Sequence, residues 1–274
     1  MEPHLLEDCK QWKIPGTDLT IQGFSQAGNK TGFAIFSLKL LFDAGLPTRK
    51  TPEKVLITHS HTDHTFNVPC IAMGHKQQCD VYCPTEMKEP LHLMARASQS
   101  LNDCVNLIQE EQLICHGVNV GDVIKHRNIT INVIKCFHTV PCVGFELVKT
   151  KKRLKDEYKS LKGKEIKTLK DNGTEITFTQ EQKFFTFLGD TTVEIFDDKK
   201  TLQTSVLMLE CTVLDDEISP DETKSRGHMH WKHLEPIVIA NPSVLFVLIH
   251  LSRRYKRPYI NEFFKNKPKN IYVW

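Results

Sequence analysis

A six-residue segment that begins at His59 holds four side chains of types that bind metals. His59, His61, Asp63 and His64 follow directly after a short apolar run at 54–57. Imidazole nitrogens and carboxylate oxygens are the ligands that zinc and other borderline first-row metals accept. The spacing lets the first two side chains face one side of the turn and the last two the other, which suits two metal ions. Two adjacent ions can activate a water molecule and hold a phosphoryl or acyl oxygen, a more specific use of this pattern than a solvated loop.

Three further apolar runs with the composition of β-strands each end at another ligand type. These runs and their ligands are 129–137 with His138, 184–188 with Asp190, and 244–249 with His250. Any one of them alone would more often be a strand-end hydrogen-bonding residue or a turn. Strand ends meet along one edge of a sheet, where open crevices form. Together with the His59 segment, they predict a metal site built on one sheet edge.

Two helices are predicted around these strands. The first covers 84–102, and its predicted buried stripe is Leu91, Met94, Leu101 and Val105. The second covers 231–241 despite Pro236. His230 and His233 are interpreted as polar residues at the start of that second helix.

Together the candidate ligands resemble the series found in the metallo-β-lactamase superfamily, and their flanks are similar to ribonuclease Z, the tRNA 3′-processing endonuclease. The matching segments occur in that family's order across roughly residues 20–260, and the short form found in plants fits best. They are Leu41-Phe42-Asp43-Ala44-Gly45, Phe137-His138-Thr139-Val140, Gly189-Asp190-Thr191-Thr192, Leu209-Glu210-Cys211-Thr212, Gly227-His228-Met229-His230 and Ile249-His250-Leu251-Ser252-Arg253-Arg254-Tyr255. Two departures leave the ligands untouched: residues 23–31 replace the family's glycine-rich opening segment, and Leu251 replaces its usual phenylalanine.

The resemblance implies an α/β fold, the four-layer αββα sandwich of the metallo-β-lactamases, with a short basic arm inserted. It also implies the organisation of the chain: an N-terminal extension at 1–18, the metallo-β-lactamase domain at 19–274, and the arm at about 149–182. A chain of 274 residues with 40% hydrophobic content is long and apolar enough to bury the core that such a sandwich needs.

The resemblance also implies a role for each candidate residue. Two zinc ions per chain, or another divalent metal such as manganese, would be held by His59, His61 and His138, by Asp63, His64 and His250, and by Asp190 as a bridge. Asp63 would in addition orient or deprotonate the attacking water, and Glu210 with His228 would deliver a proton to the leaving 3′-oxygen. Asp43 would accept a hydrogen bond from a ligand imidazole, which holds the ring in place.

Positive charge is concentrated between the His138 and Asp190 strands. Residues 149–170 hold ten Lys or Arg and three Asp or Glu, a local net charge of +7, whereas the whole chain carries +3. Such a block is most often a solvated surface, but in ribonuclease Z the equivalent segment carries the arm that binds tRNA, and such an arm would contact phosphates rather than bases. The predicted substrate-binding residues are Lys151, Lys152, Arg153 and Lys155 on the arm, and Thr191, Ser252, Arg254 and Tyr255 near the metals.

The predicted function is that of a zinc-dependent endoribonuclease, a phosphodiesterase that removes 3′ trailers from precursor tRNA and leaves a 3′-hydroxyl. The alternative is a small-molecule hydrolase, for β-lactams or for esters and thioesters, on the same dinuclear centre. Asp190 argues against the familiar zinc lactamases, which have cysteine at that position, and the basic arm favours a polyanionic substrate. A non-catalytic RNA-binding relative would be expected to lack part of the ligand set. The resemblance further implies a homodimer.

Composition excludes some locations for the protein. No run of about 18 or more apolar residues occurs, so no transmembrane helix is predicted. The N-terminal residues lack the basic and apolar regions of a secretory signal. The nine cysteines include no Cys-x-x-Cys pair, which indicates reduced thiols. We therefore expect a protein that is neither secreted nor bound to a membrane, located in the cytoplasm or in the nucleus or another reducing compartment.

Overall fold

Two mixed β-sheets lie at the centre of the fold. The computed structural model describes residues 3–73, 79–106 and 113–274. Within them, the first sheet has the order β1 (Lys10–Lys13), β2 (Thr20–Gln26), β3 (Lys30–Ile35), β4 (Leu40–Phe42), β5 (Lys54–Leu56), β6 (Asp80–Pro84) and β7 (Ile114–Val118). The second has the order β8 (Val123–His126), β9 (Ile129–Lys135), β10 (Val143–Leu154), β11 (Thr177–Phe187), β12 (Val206–Glu210), β13 (Leu245–Ile249) and β14 (Ile271–Val273).

The two sheets repeat one pairing pattern. β1 to β4 are antiparallel neighbours and β4 to β7 are parallel. β8 to β11 are likewise antiparallel, and β11 to β14 are parallel. Each sheet therefore has a run of parallel strands whose carboxyl ends lie at one edge, and parallel strands of this kind commonly carry a site there.

Helices alternate with the strands along parts of the chain. They are α1 (Thr62–Thr65), α2 (Val68–Met73), α3 (Lys88–Asp103), α4 (Gly163–Asp171), α5 (Pro220–Ser225), α6 (Trp231–Ala240) and α7 (Arg257–Phe264). The outer face of the first sheet is covered by α2 and α3, and that of the second by α6 and α7. Short 3-10 turns lie at Leu6–Asp8, Phe36–Leu38, Thr85–Met87, Asp156–Tyr158, Val193–Phe196 and Lys199–Leu202. In the part of the chain that the structure describes, each helix is too short or too polar to cross a membrane.

Three apolar clusters hold the layers together. Between the sheets, aromatic rings from both faces interlock, and the ring centroids of Phe42 and Phe187 are 4.9 Å apart. Outside the first sheet, buried residues of α2 and α3 such as Leu91 pack on its strands. Outside the second sheet, buried residues of α6 and α7 such as Leu234 and Ile260 do the same. The layer order is helix, sheet, sheet, helix, as predicted.

The hairpin of β10 and β11 extends beyond the second sheet. β9 pairs with β10 as far as Lys149. Farther out, residues 150–154 of β10 pair with residues 177–181 of β11 alone. The side chains change from buried to exposed along the same stretch, and α4 lies in the connection. The charged segment is therefore a two-stranded ribbon that leaves the core.

Of the two helix predictions, one is confirmed and the other is partly wrong. The second helix is confirmed as α6, and His230 is its N-cap, with a side chain that accepts a hydrogen bond from Lys232 N. The first begins at Lys88, after one 3-10 turn. Its predicted stripe is wrong at Leu101 and Val105, which are 79% and 54% exposed. Because successive helical residues rotate by about 100°, Leu101 lies about 80° from the direction of Leu91.

Candidate metal centre

The predicted ligands converge at the sheet edge. They are His59 after β5, His61 before α1, Asp63 and His64 in α1, His138 after β9, Asp190 after β11 and His250 after β13. Their ligand atoms form compact groups in which all atoms lie within 4.8 Å of one another. Strands that are far apart in the sequence thus supply one site, as the strand-end pattern predicts.

The first ligand group contains His59, His61, His138 and Asp190. His61 Nδ1 lies 3.2 Å from His59 Nε2 and 3.2 Å from His138 Nε2. His59 Nε2 lies 3.7 Å from Asp190 Oδ2. Two nitrogens bound tetrahedrally to one zinc at about 2.0–2.1 Å would be about 3.3–3.4 Å apart. The donor atoms therefore already have the separations that a single ion requires.

The second ligand group contains Asp63, His64 and His250. His250 Nε2 lies 3.4 Å from His64 Nε2 and 3.4 Å from Asp63 Oδ2. Asp190 lies between the two groups, since its Oδ2 is 3.5 Å from His250 Nε2 and its Oδ1 is 3.8 Å from His64 Nε2. Together with the fold, this cluster of imidazoles and carboxylates supports the binding of a divalent metal.

In four of the five candidate ligand histidines, the ring nitrogen that points away from the site also has a hydrogen-bond partner. These contacts are His59 Nδ1 to Thr58 Oγ1 at 3.0 Å, His64 Nδ1 to Asp43 Oδ2 at 2.8 Å, His138 Nδ1 to the Gly227 carbonyl at 2.7 Å, and His250 Nδ1 to Thr212 Oγ1 at 3.1 Å. A neutral ring that donates through Nδ1 presents an unprotonated Nε2 to the site. Such contacts fix the tautomer and orientation of metal-binding histidines.

Asp43 is placed for this support by the turn that follows β4. It is fully buried, and its backbone has a φ of 53°. Its carboxylate accepts hydrogen bonds from the Thr58 N–H at 2.8 Å and from the Thr58 hydroxyl at 3.0 Å, in addition to His64. His250 also has a positive φ, of 58°. Non-glycine residues in this backbone region are uncommon and concentrate at functional sites.

Burial and charge set the protonation of the ligands. Burial lowers the pKa of His59 and of His61, which favours the neutral form that binds metals. Burial also acts to lower the pKa of His64, but the carboxylates of Asp43, Asp190 and Asp63 outweigh it and raise the value to about 9. For Asp190, burial acts to raise the pKa, and the surrounding imidazoles lower it below its ordinary value.

Glu210 and His228 form a hydrogen-bonded pair beside the ligands. His228 Nδ1 lies 2.9 Å from Glu210 Oε1 and 3.8 Å from Asp190 Oδ2. Glu210 is 1% exposed and also accepts the N–H groups of Thr191 and Met229, at 2.9 and 3.1 Å. Burial acts to lower the pKa of His228, but the Glu210 carboxylate raises it to about 9. His228 therefore carries a proton near neutral pH and can act as a proton donor.

The predicted substrate-binding residues near the metals lie in different environments. Ser252 is half-buried and lines a cavity of about 220 Å³ together with His228. Arg254 pairs with Glu217 at 2.9 Å. Thr191 and Tyr255 are buried. Their hydroxyl oxygens accept backbone N–H groups of the protein, and Tyr255 also lines a cavity of about 800 Å³.

Thr191 and Tyr255 each tie two segments together. The Thr191 hydroxyl accepts the Phe137 N–H at 2.9 Å, and the Tyr255 hydroxyl accepts the Leu214 N–H at 3.0 Å. The first bond connects the Asp190 loop with the segment before His138. Substrate contact by both residues stays a prediction.

The four predicted residues of the basic arm lie on the ribbon, away from the ligands. Lys151, Lys152 and Arg153 are exposed and Lys155 is half-buried. Arg153 Nε donates to Gln180 of the facing strand at 3.3 Å. The arm thus presents positive charge to solvent.

Two glycines that sequence reasoning did not single out hold parts of the site. Gly28 N–H donates to Asp63 Oδ2 at 3.0 Å. Gly227 has a φ of 78°, and a Cβ there would lie 2.6 Å from His138 Nδ1. Only glycine fits such a close approach at positive φ. The glycine before His228 in the matched segment was the available signal for the second contact.

Two cavities open beside the ligand groups. One, of about 800 Å³, is lined by Ser25, Gln26, Leu251 and Trp274 among others. The other, of about 480 Å³, is lined by His138 and by residues 135–143 around it. His138 lines the second cavity, and Leu251, the neighbour of His250 in the sequence, lines the first.

Comparison with known proteins agrees with this architecture. The family model of the beta-lactamase superfamily domain matches residues 35–251, so the chain belongs to that superfamily. Two solved structures share its fold. The metallo-beta-lactamase fold protein YhfI from Bacillus subtilis has a TM-score of 0.57 at 14% identity, with 94% of this chain and 96% of that one covered. Human tRNase Z, short form (ELAC1), has a TM-score of 0.55 at 17% identity, with 85% and 93% covered.

A curated relative narrows the assignment. tRNase Z TRZ1 of Arabidopsis thaliana is 30% identical over 263 residues, which cover 91% of this chain and 90% of that protein. Within the superfamily, the chain is a member of the tRNase Z family. The predicted α/β metallo-β-lactamase sandwich and the resemblance to a short, plant-type ribonuclease Z are both confirmed.

Proposed function

We propose that the protein is a zinc-dependent endoribonuclease that removes 3′ trailers from precursor tRNA and leaves a 3′-hydroxyl. The observation that carries this proposal is the Glu210–His228 pair beside two complete ligand groups. A phosphodiester with an alkoxide leaving group needs a proton donor in that place. The 30% identity to a protein named tRNase Z over most of both chains supports the same reaction.

The donor set fits two zinc ions. Each ion would be held by three side chains of its own, and Asp190 would contribute to both. The first set is His59, His61 and His138, and the second is Asp63, His64 and His250. When bound, the ions supply a water of lowered pKa and polarise the phosphoryl oxygen. The nitrogen separations of 3.2 Å in the first group and 3.4 Å in the second support this assignment because they match the tetrahedral edge expected for zinc.

The remaining steps belong to the side chains. Gly28 N–H holds Asp63 Oδ2, so the carboxylate is fixed in an orientation from which it can accept a proton from the attacking water. Glu210 holds Nδ1 of His228, which leaves Nε2–H as the donor to the leaving 3′-oxygen. The pKa of His228, raised to about 9 in the metal-free protein, supports this role because the ring then carries a proton near neutral pH.

RNA would be bound by residues far from the scissile phosphate as well as by residues beside it. The exposed cations of the basic arm can contact phosphates by releasing counterions, without reading bases. The two cavities, one lined by His138 and the other by Leu251 next to His250, would give room for nucleotides beside the scissile phosphate. Precursor tRNA satisfies both features because its folded body and its 3′ end are separate.

The test is cleavage of a 3′-extended precursor tRNA by purified protein, with and without a chelator, beside a chromogenic β-lactam. We expect metal-dependent cuts at the end of the acceptor stem. Turnover of the lactam or of a simple ester with the tRNA intact would instead identify a small-molecule hydrolase. An Asp18→Asn variant serves as control, since Asp18 is an exposed carboxylate outside the site.

We also propose a homodimer in a reducing compartment, the cytoplasm or the nucleus. All nine cysteines lie within the described residues, and no disulfide joins any of them, which supports a reducing compartment.

The homodimer rests on the resemblance to ribonuclease Z. Sedimentation velocity tests it, and a mass of one chain, 31.5 kDa, at all concentrations would contradict it.

A further inference from the structure

One arrangement of side chains occurs twice in the site. After β5, the Thr58 hydroxyl lies between His59 Nδ1 at 3.0 Å and the Asp43 carboxylate at 3.0 Å. After β12, the Thr212 hydroxyl lies between His250 Nδ1 at 3.1 Å and Glu210 Oε2 at 2.5 Å. β5 and β12 are the fifth strands of their respective sheets, so the two threonines have equivalent places in the two halves of the fold.

The number of protons fixes the direction of the bonds at Thr212. A hydroxyl has one proton to donate, while it can accept through two lone pairs. Its shortest contact is the buried carboxylate of Glu210, which is the strongest acceptor nearby. The proton therefore points to Glu210, and His250 must donate its Nδ1–H to Thr212 Oγ1. His250 then has its unprotonated Nε2 toward Asp63, 3.4 Å away.

Thr212 differs from Thr58 in the role of the carboxylate that its hydroxyl contacts. Asp43 supports a metal ligand, since its other partner is His64. Glu210 supports the proton donor, since its other oxygen holds His228. A continuous series of hydrogen bonds therefore runs from His250, through Thr212 and Glu210, to His228.

We infer that Thr212 is a positioning residue that couples the second ligand group to the proton donor of the reaction. Its hydroxyl fixes the tautomer of His250 and the orientation of Glu210 at once. Thr58 performs the same two tasks for His59 and Asp43, but Asp43 holds a metal ligand and not the proton donor. The effect on the proton donor rests on the proposed function, whereas the effect on His250 does not.

Removing the Thr212 hydroxyl affects Glu210 and His250 unequally. Glu210 keeps its backbone donors, the N–H groups of Thr191 and Met229. His250, which is 2% exposed, loses the acceptor for a buried N–H. Loss of such a contact behind a metal ligand typically lowers affinity by about 10–100-fold. The loss of zinc affinity should therefore occur at the second ligand group.

The experiment compares Thr212→Val, Thr58→Val and Thr212→Ser. Valine keeps the shape of threonine and removes the hydroxyl, and serine keeps the hydroxyl. Zinc affinity is measured by competition with a chromogenic chelator. Turnover at saturating zinc is measured on a 3′-extended RNA and on a nitrophenyl phosphodiester, whose leaving group departs without a proton. Circular dichroism verifies that each variant is folded.

We expect Thr212→Val to weaken one zinc site by about 10–100-fold and to slow RNA cleavage at least about tenfold more than ester cleavage. Thr58→Val should weaken zinc binding and leave the ratio of the two activities at the wild-type value. Thr212→Ser should restore both properties. Wild-type zinc affinity and ratio in Thr212→Val would overturn the inference, as would an equal change of ratio in Thr58→Val. If the wild-type protein does not cut RNA, the proposed function fails, and the zinc affinities still decide the role toward His250.

Discussion

The metal centre and the basic arm are built in opposite ways. In the centre, ligands such as His59 and His250 are 0% and 2% exposed, and their outward nitrogens are bound by protein groups. On the arm, Lys151 and Lys152 are exposed on a ribbon whose outer strands pair only with each other. Under the proposed function, chemistry therefore depends on fixed geometry in one region, and RNA affinity depends on exposed charge in the other. Substitutions in the two regions should separate turnover from binding.

The largest effect is expected from Asp63→Ala. Asp63 is both a candidate ligand and the proposed acceptor of a proton from water, so its loss should lower kcat by at least about 10³-fold. RNA binding should stay within about twofold because the arm is unchanged. Single-turnover cleavage and filter binding measure the two quantities. Cleavage at the wild-type rate by this variant would refute the mechanism.

A smaller loss of turnover is expected from His228→Ala. Removing a general acid costs about 10²–10⁴-fold when the leaving group needs a proton. A nitrophenyl phosphodiester should be cleaved at close to the wild-type rate, because its leaving group is stable as an anion. A variant that loses both activities to the same extent would show that His228 acts on the metal site and not on the leaving oxygen.

The contrast also explains how far the sequence alone can be interpreted. The ligands could be predicted from the sequence because each lies in a segment that follows an apolar strand run. The ends of such strands meet at one edge of a sheet. The support from Gly28 could not be predicted, since a backbone N–H leaves no trace in the side-chain sequence, whereas the glycine of the matched segment was a signal for the contact from Gly227. The role of Thr212 could not be predicted from its matched segment, because one of its two partners ends β12 and the other follows β13.

Helix α3 shows a second limit. Its apolar residues suggested a longer buried stripe than the structure has, because exposed apolar residues such as Leu101 are compatible with a helical period. Burial depends on where the neighbouring sheet ends, which a local pattern cannot specify. The layer order was predictable, while the covered length of one helix was not.

On the arm, the combined variant K151A/K152A/R153A/K155A should weaken binding and leave chemistry intact. Each phosphate contact contributes about 0.7–0.9 to the slope of log affinity against log salt, so the slope should fall by up to about 3 units. The single-turnover rate at saturating RNA should match the wild type. K199A/K200A, which removes two exposed lysines outside the arm, is the matched control. An unchanged salt slope in the arm variant would show that the arm does not contact RNA.

The smallest effect is a proton linkage that only the metal centre should show. In the metal-free protein the surrounding carboxylates raise the pKa of His64 to about 9 despite its burial, so its ring is protonated near neutral pH. A metal must displace that proton, because the ligand form of histidine is neutral. Zinc affinity should therefore rise with pH, by about tenfold per unit for one proton, and level off above about pH 9. Calorimetric zinc titrations in buffers of different ionisation enthalpy would count the protons released. Asp43→Asn removes the carboxylate that contacts His64, so fewer protons should be released near neutral pH, and a proton count equal to that of the wild type would show that Asp43 does not hold this charge.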